Sequence, residues 1–93
     1  MRYTISEMAA LLGVTTHTLR YYEKMGLIRP EVNEDTGYRY YTVTDTRRFN
    51  LCRELRAAEF SLEECKELIG SPTVERTEEM FAHQMAQLQR DRK

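Results

Sequence analysis

Arginine stands beside paired tyrosines at two places in this chain, in Leu19-Arg20-Tyr21-Tyr22-Glu23 and in Gly37-Tyr38-Arg39-Tyr40-Tyr41-Thr42. A hydrophobic core has no need of the arginines, and an ordinary solvated surface has no need of the tyrosines. Together the two residue types suit recognition. A guanidinium donates in a fixed fork to phosphate or guanine, and tyrosine offers an apolar ring with a hydroxyl at its tip. The competing reading of the second stretch is a hairpin packed by its aromatic rings, with the arginine stem laid across them. Residue patterns for turnover are missing: there is no carboxylate pair, nucleophile elbow or phosphate-cradling glycine loop, and Glu63-Glu64 fits helix capping. The expectation is therefore a binding protein that is not an enzyme. Cys52 and Cys65 occur without a C-x-x-C spacing, and His17 and His83 are far off in sequence. They read as buried reduced thiols, with no metal site and no cofactor.

Ninety-three residues suit one domain with a modest core, and 41% hydrophobic with 31% charged residues is a globular composition. The longest apolar run, Met8-Ala9-Ala10-Leu11-Leu12, is too short to span a membrane. The N-terminus lacks the layout of a signal peptide, so a cytoplasmic location is expected, with no membrane partner. A net charge of −1 does not announce a nucleic-acid binder, but its distribution is uneven. Residues 36–58 carry five arginines, Arg56 among them, against two acids, whereas residues 61–93 carry five basic groups against seven acids. That pattern is compatible with a basic face and an acidic tail, and equally with ordinary solvated helices.

The elements that would position these residues are well signposted. Thr4-Ile5-Ser6-Glu7 is a capping box, Ile5, Met8, Ala9 and Leu12 follow helical spacing, and Gly13 supplies a stop. Thr15 caps a second helix that ends near Met25-Gly26. Leu27-Ile28-Arg29 is a strand candidate, followed by Pro30, a polar loop to Gly37, and a returning strand over residues 38–41. Thr42-Val43-Thr44-Asp45 opens a third helix with Phe49, Cys52, Leu55 and Leu51 inward. Ser61-Leu62-Glu63-Glu64 opens a fourth with Leu62, Cys65, Leu68 and Ile69 apolar, closed by Gly70-Ser71-Pro72. Val74, Phe81, Met85 and Leu88 then align as a short coiled-coil seam.

A helix-turn-helix needs a small residue where the helices cross, a glycine in the turn and apolar facing sides. Ala9, Gly13 and Leu19 have that spacing, and Met8, Leu12, Val14 and Tyr22 complete the buried set. Two packed helices of any bundle can imitate it. As a helix-turn-helix, the second helix reads base edges with Thr16 and His17, and Arg20 lies one turn on. For His17 a plain solvated role is equally open. The hairpin is then a wing, in which Tyr38 and Tyr40 share one face and Arg39 and Tyr41 the other.

Thr18-Leu19-Arg20-Tyr21-Tyr22-Glu23, Gly26-Leu27, Gly37-Tyr38-Arg39-Tyr40-Tyr41-Thr42 and Phe60-Ser61-Leu62-Glu63-Glu64 together closely resemble the DNA-binding domain of MerR-type bacterial transcription regulators. The resemblance implies a mainly α fold with a small β-hairpin: a winged helix-turn-helix over residues 1–70, then the start of a dimerisation helix over 71–93. It implies a dimer on double-stranded promoter DNA that bends and untwists the spacer between the −35 and −10 elements, with RNA polymerase as partner. By the same resemblance, Arg20, Tyr22, Tyr38 and Arg39 are DNA contacts and positions 16 and 17 are the reading edge. Tyr21, Tyr40 and Arg56 complete the candidate DNA-binding set, and Phe81, Met85 and Leu88 the dimerisation set.

Three departures qualify this. Glu59-Phe60 replaces the usual Gly-Phe, so a differently shaped corner is expected there, and its acidity weakens any nearby phosphate contact. Thr46 stands where an aliphatic residue is common. The segment from Ser71 on is short and has no cysteine, so these residues give the metal-sensing branch no support. Two further readings stay open: a winged-helix module that binds protein, and a DNA-bending architectural or excisionase-type factor without an effector.

Overall fold

Short-range bonds from side chain to backbone decide where the helices of this chain begin. In the computed structural model, which describes residues 1–91, α1 (Ile5–Leu12) starts at Thr4 with both halves of the capping box made. The Glu7 amide donates to the Thr4 hydroxyl at 3.2 Å, and the Thr4 amide donates to the Glu7 carboxylate at 2.9 Å. Thr15 caps α2 (Thr16–Lys24) through the Thr18 amide. Ser61 and Glu64 repeat the full box at the head of α4 (Leu62–Ile69). Between them lie β1 (Glu31–Val32), β2 (Arg39–Tyr40) and α3 (Val43–Ala57), and α5 (Val74–Asp91) follows. The last two residues of the 71–93 segment lie outside the described part.

The expected architecture is present: among the described residues there are five helices and one antiparallel two-stranded hairpin, with Glu31 opposite Tyr40 and Val32 opposite Arg39. The chain divides into two compact units, one from Met1 to Leu51 and one from Cys52 onward. In the first, α1 and α2 form the helix-turn-helix around Met8, Ala9, Leu12, Leu19, Ile28, Tyr41 and Phe49, with Val14 and Tyr22 packed against that cluster. The turn between them places Gly13 at φ 71° and closes with the Val14 amide on the Ala9 carbonyl at 3.0 Å. A side chain at positive φ costs roughly 1 kcal/mol or more, so glycine belongs there.

The strand expected at Leu27-Ile28-Arg29 is not formed; pairing begins after Pro30, at Glu31. Side chains of α3 take the backbone groups that a ladder would have used. The Arg29 amide donates to buried Asp45 at 3.0 Å, and Arg48 Nε donates to the Leu27 carbonyl at 2.8 Å. Leu27 and Ile28 are wholly buried as core residues instead. Asp45 also accepts from the Thr42 amide at 3.0 Å, the reach-back half of the capping pattern. Tyr3 extends the wing with an isolated bridge to Tyr41, bonded both ways at 2.8 and 2.7 Å. Thr46 offsets its lost aliphatic contact by turning its hydroxyl to the Thr42 carbonyl and the Met8 sulfur.

In the second unit, Cys52, Leu55, Phe60, Cys65, Ile69 and Met80 are buried. Leu51, expected inward on α3, is exposed. The corner at Glu59 is not reshaped by its glutamate. Glu59 takes φ 66°, with its amide on Arg56 and the Phe60 amide on Leu55, the bonding that also ends α1 and α2 at glycines. At the end of α4, Gly70 has φ −80° and Ser71 carries the positive φ, 64°. On α5 the face buried within the unit is Met80 and Gln84, with Gln84 Nε2 bonded to the Ala58 carbonyl at 2.8 Å. Of the expected seam, Val74, Phe81 and Met85 are exposed and Leu88 is half-buried.

Candidate nucleic-acid interface

The reader-helix candidates follow from the cap at Thr15. Helix α2 begins at Thr16, so Thr16 and His17 occupy its first turn, half-buried and exposed respectively. Thr18 is tied to Thr15 through its hydroxyl at 3.0 Å. One turn on, Leu19 points into the core with no exposed surface, which leaves its neighbours Arg20 and Tyr21 outside. Tyr22 turns its ring against Phe49, edge to face at 4.9 Å between centroids, and is half-buried. Its ring is thus a structural part of the helix-turn-helix, whatever its hydroxyl contacts.

The wing supplies the other half. Asn33 builds the tip: its side-chain oxygen accepts from the amides of Asp35 and Thr36, and its carbonyl from Gly37 at φ 74°. That turn returns the chain so that Tyr38 is 67% exposed, Arg39 faces solvent, and Tyr41 is fully buried. Tyr40, whose face sequence parity left open, is half-buried with the Arg2 guanidinium 5.8 Å from its ring centre. Arg2 also pairs with Glu31 at 3.3 Å across the hairpin.

A groove of about 510 Å³ gathers Arg20 from α2 and Tyr38, Arg39 and Tyr40 from the wing, with Thr4, Ile5, Gly37 and Tyr41 as its remaining walls. Four of the residues singled out from sequence therefore meet around one space, although 18 to 20 positions separate the two groups. What joins the groups is Glu23. One oxygen of its carboxylate is ion-paired with Arg39 Nε at 2.8 Å, and the other accepts from the Tyr41 hydroxyl at 3.1 Å. Burial, and then the negative charge of Glu23, push the Tyr41 hydroxyl up to about 12. It stays protonated and donates. A second, smaller cavity is lined by Arg20, Glu23, Lys24 and Arg39, three cations around one carboxylate.

Glu23, Asp45 and Arg48 were not singled out by sequence reasoning as positioning residues. Asp45 has a local signal in its capping pattern. The partners of Glu23 and Arg48 lie 16 to 21 positions away, and no local pattern reports such pairs.

The remaining candidates lie in the second unit. Arg56 is exposed, and its Nη1 donates to the Phe60 carbonyl at 2.9 Å, bracing the corner that Glu59 turns. Phe81, Met85 and Leu88 line a shallow apolar groove of about 170 Å³ with Ala58, Phe60 and Gln84. Phe81 meets Phe60 edge to face at 5.2 Å. Cys52 and Cys65 are free and buried; burial pushes both thiols up, Cys65 to about 11. Among the described residues no group of three or more His, Cys, Asp or Glu is placed to hold a metal ion, and no helix is long and apolar enough to cross a membrane.

Comparison with known proteins finds chains similar to this one in sequence and in fold. Over 66 residues the chain is 40% identical to the HTH-type transcriptional regulator CueR of Salmonella typhi, a match covering 71% of this chain and 48% of that protein. Over 68 residues it is 42% identical to the HTH-type transcriptional regulator ZntR of Escherichia coli K12, covering 73% and 48%. The chain thus spans about half the length of the curated relatives it matches. Among solved structures, HiNmlR, a MerR family regulator lacking the sensor domain and bound to promoter DNA, superimposes with a TM-score of 0.76 at 27% identity, over 96% of this chain and 75% of that one. The N-terminal part of MtaN, the Bacillus subtilis multidrug transporter activator, gives 0.78 at 28% identity, over 95% and 82%. Residues 3–71, well over half of the 93, match the family described as MerR HTH family regulatory proteins, and this chain belongs to that family.

Proposed function

We propose that this chain is the DNA-binding part of a transcription regulator, and that it binds double-stranded promoter DNA as a homodimer and distorts the spacer between the −35 and −10 elements. The observation that carries this reading is the convergence of Arg20, Tyr38, Arg39 and Tyr40 on one groove between reader helix and wing. Arginine and tyrosine hydroxyls suit sugar and phosphate oxygens, and the head of α2 suits base edges. In this reading Thr16 and His17 read bases, Arg20 contacts guanine or phosphate, and Tyr21, Tyr22, Tyr38, Arg39 and Tyr40 grip the backbone, with Arg56 a further cation. The relative HiNmlR, solved on promoter DNA, supports the same mode. Bending and untwisting DNA costs on the order of 1–10 kcal/mol, and contacts from a wing on each flank of a dimer offset it.

Residues 1–70 would carry DNA recognition and 71–93 the start of the dimerisation helix. The exposed Phe81 and Met85, with half-buried Leu88, support that assignment because water-facing apolar residues at coiled-coil spacing gain by pairing. RNA polymerase is the partner the family suggests, the cytoplasm its location, and no catalytic step is assigned. Gel shifts at low salt test the reading: affinity for an inverted-repeat duplex selected from a random library exceeds that for random DNA and falls steeply with salt. Equal affinity for both duplexes overturns it. Sedimentation tests the pairing, which Met85→Glu abolishes.

A further inference from the structure

We propose that Glu23 sets the selectivity of the interface, by holding the Arg39 guanidinium on the reader helix and so withholding it from indiscriminate phosphate binding. This rests on the DNA-binding reading above. The carboxylate sits between a buried anchor and a solvent-facing partner. One oxygen accepts from Tyr41, which has no exposed surface, and the other is ion-paired with Arg39 Nε at 2.8 Å. The side chain of Glu23 is 20% exposed and that of Arg39 57%. Arg20 and Lys24 face the same small cavity, so three cations surround one negative charge.

Two consequences follow from this placement. First, the charge presented at the junction of wing and reader helix is one unit lower than its cations alone would supply. Affinity for any DNA depends on how many phosphates are neutralised, so Glu23 lowers it for selected and arbitrary duplexes alike. Second, the guanidinium carries five N–H donors and meets Glu23 through Nε, so donors remain for a phosphate while the group is tied to the reader helix. Arg39 is thereby tied to the last turn of α2, the helix whose first turn reads bases, and a phosphate is rewarded only where that helix is correctly seated. A free arginine would reward any phosphate within reach. Glu23 is thus a positioning residue whose charge also matters, and the two roles are separable by substitution.

The test uses the 93-residue chain, a duplex selected from a random library, and a scrambled duplex of the same length, titrated over a range of salt. Glu23→Gln keeps the shape and removes the charge. It is expected to raise affinity for the scrambled duplex several-fold, to steepen the salt dependence by about one released ion, and to cut the selected-to-scrambled ratio on the order of tenfold. Glu23→Asp keeps the charge but withdraws it from Arg39, so the ratio falls with the salt slope unchanged. In an Arg39→Ala background, Glu23→Gln leaves the ratio where it was, because no held arginine remains to release. Thermal melting confirms that each variant is folded, and Glu23→Asp serves alone if Glu23→Gln is not. A wild-type chain that discriminates, with Glu23 variants that discriminate equally or lose both affinities in proportion, overturns the proposal. A wild-type chain that prefers no duplex overturns the DNA-binding reading itself, and this inference with it.

Discussion

The two compact units expose aromatic side chains of different kinds, hydroxyl-tipped in the first and wholly apolar in the second. In the first, the exposed aromatics Tyr21 and Tyr38 end in hydroxyls and stand beside Arg20 and Arg39, with Glu23 organising the cations. In the second, the exposed Val74, Phe81 and Met85 have no polar tip and no organised charge. Water-facing apolar surface of the second kind gains only by meeting other apolar surface, whereas the first kind gains by meeting a polyanion. The difference shows why a net charge of −1 is no obstacle to nucleic-acid binding. Arg76 shows the same point from the other side. It is locked between Glu67 at 2.6 Å and Glu79 at 3.4 Å, so a basic residue of the second unit is used up in local pairs.

Substitution tests this contrast most strongly through the cores. Leu19→Ala in the first unit costs about 2–5 kcal/mol of folding stability and Phe60→Ala in the second about 3–5, read from urea unfolding by circular dichroism. A loss below about 1 kcal/mol at either position would break the claim that each unit has its own packed core. Next in size is the double variant Arg20→Ala with Arg39→Ala. It lowers affinity for a selected duplex on the order of 100-fold or more, at about tenfold or greater per arginine, while the urea midpoint changes little. Comparable losses in both measurements would show that these arginines support the fold instead.

Alkaline titration separates the units by pH. A neutral acid whose folded pKa is raised contributes stability that is fully present below its unfolded value and lost as pH rises to the folded one. For Cys65 that window runs from about 9 to about 11, and for Tyr41 from about 10 to about 12. Stability should therefore begin to fall above pH 9, and Tyr41→Phe should remove the upper part of the decline while leaving its onset. An onset that moves with Tyr41→Phe contradicts this assignment. The smallest effect is expected at the corner after α3. Helices α1 and α2 end at Gly13 and Gly26, but the same bonding after α3 is built on Glu59 at φ 66°. Glu59→Gly should stabilise by roughly 1 kcal/mol in a thermal melt, and a destabilisation would mean that the glutamate side chain has a compensating contact.

Much of this was legible in the linear chain because the responsible contacts are local. Thr4 with Glu7, Ser61 with Glu64 and Thr15 with Thr18 are three residues apart, and each fixes a helix start. The buried set of the helix-turn-helix follows from helical period for the same reason. Leu51 is exposed because the buried stripe of α3 is narrower than helical period alone can indicate. The strand expected at Leu27 failed because partners 16 and 21 positions away, Asp45 and Arg48, claimed its backbone groups. The corner at Glu59 kept its shape because bonds to Arg56 and Leu55, with Arg56 bracing Phe60, outweigh the local preference of glutamate.

Residue types of the candidate interface, helix starts and family are readable in the linear chain, since motif spacing and caps act over one or two turns. Tertiary structure alone decided that Arg20 and the wing share a groove, that Tyr41 is buried while Tyr38 is not, and that Glu23 holds Arg39. Those outcomes depend on which side chains meet across a packed core, and the periodicity of a single strand or helix does not contain the distance between two of them.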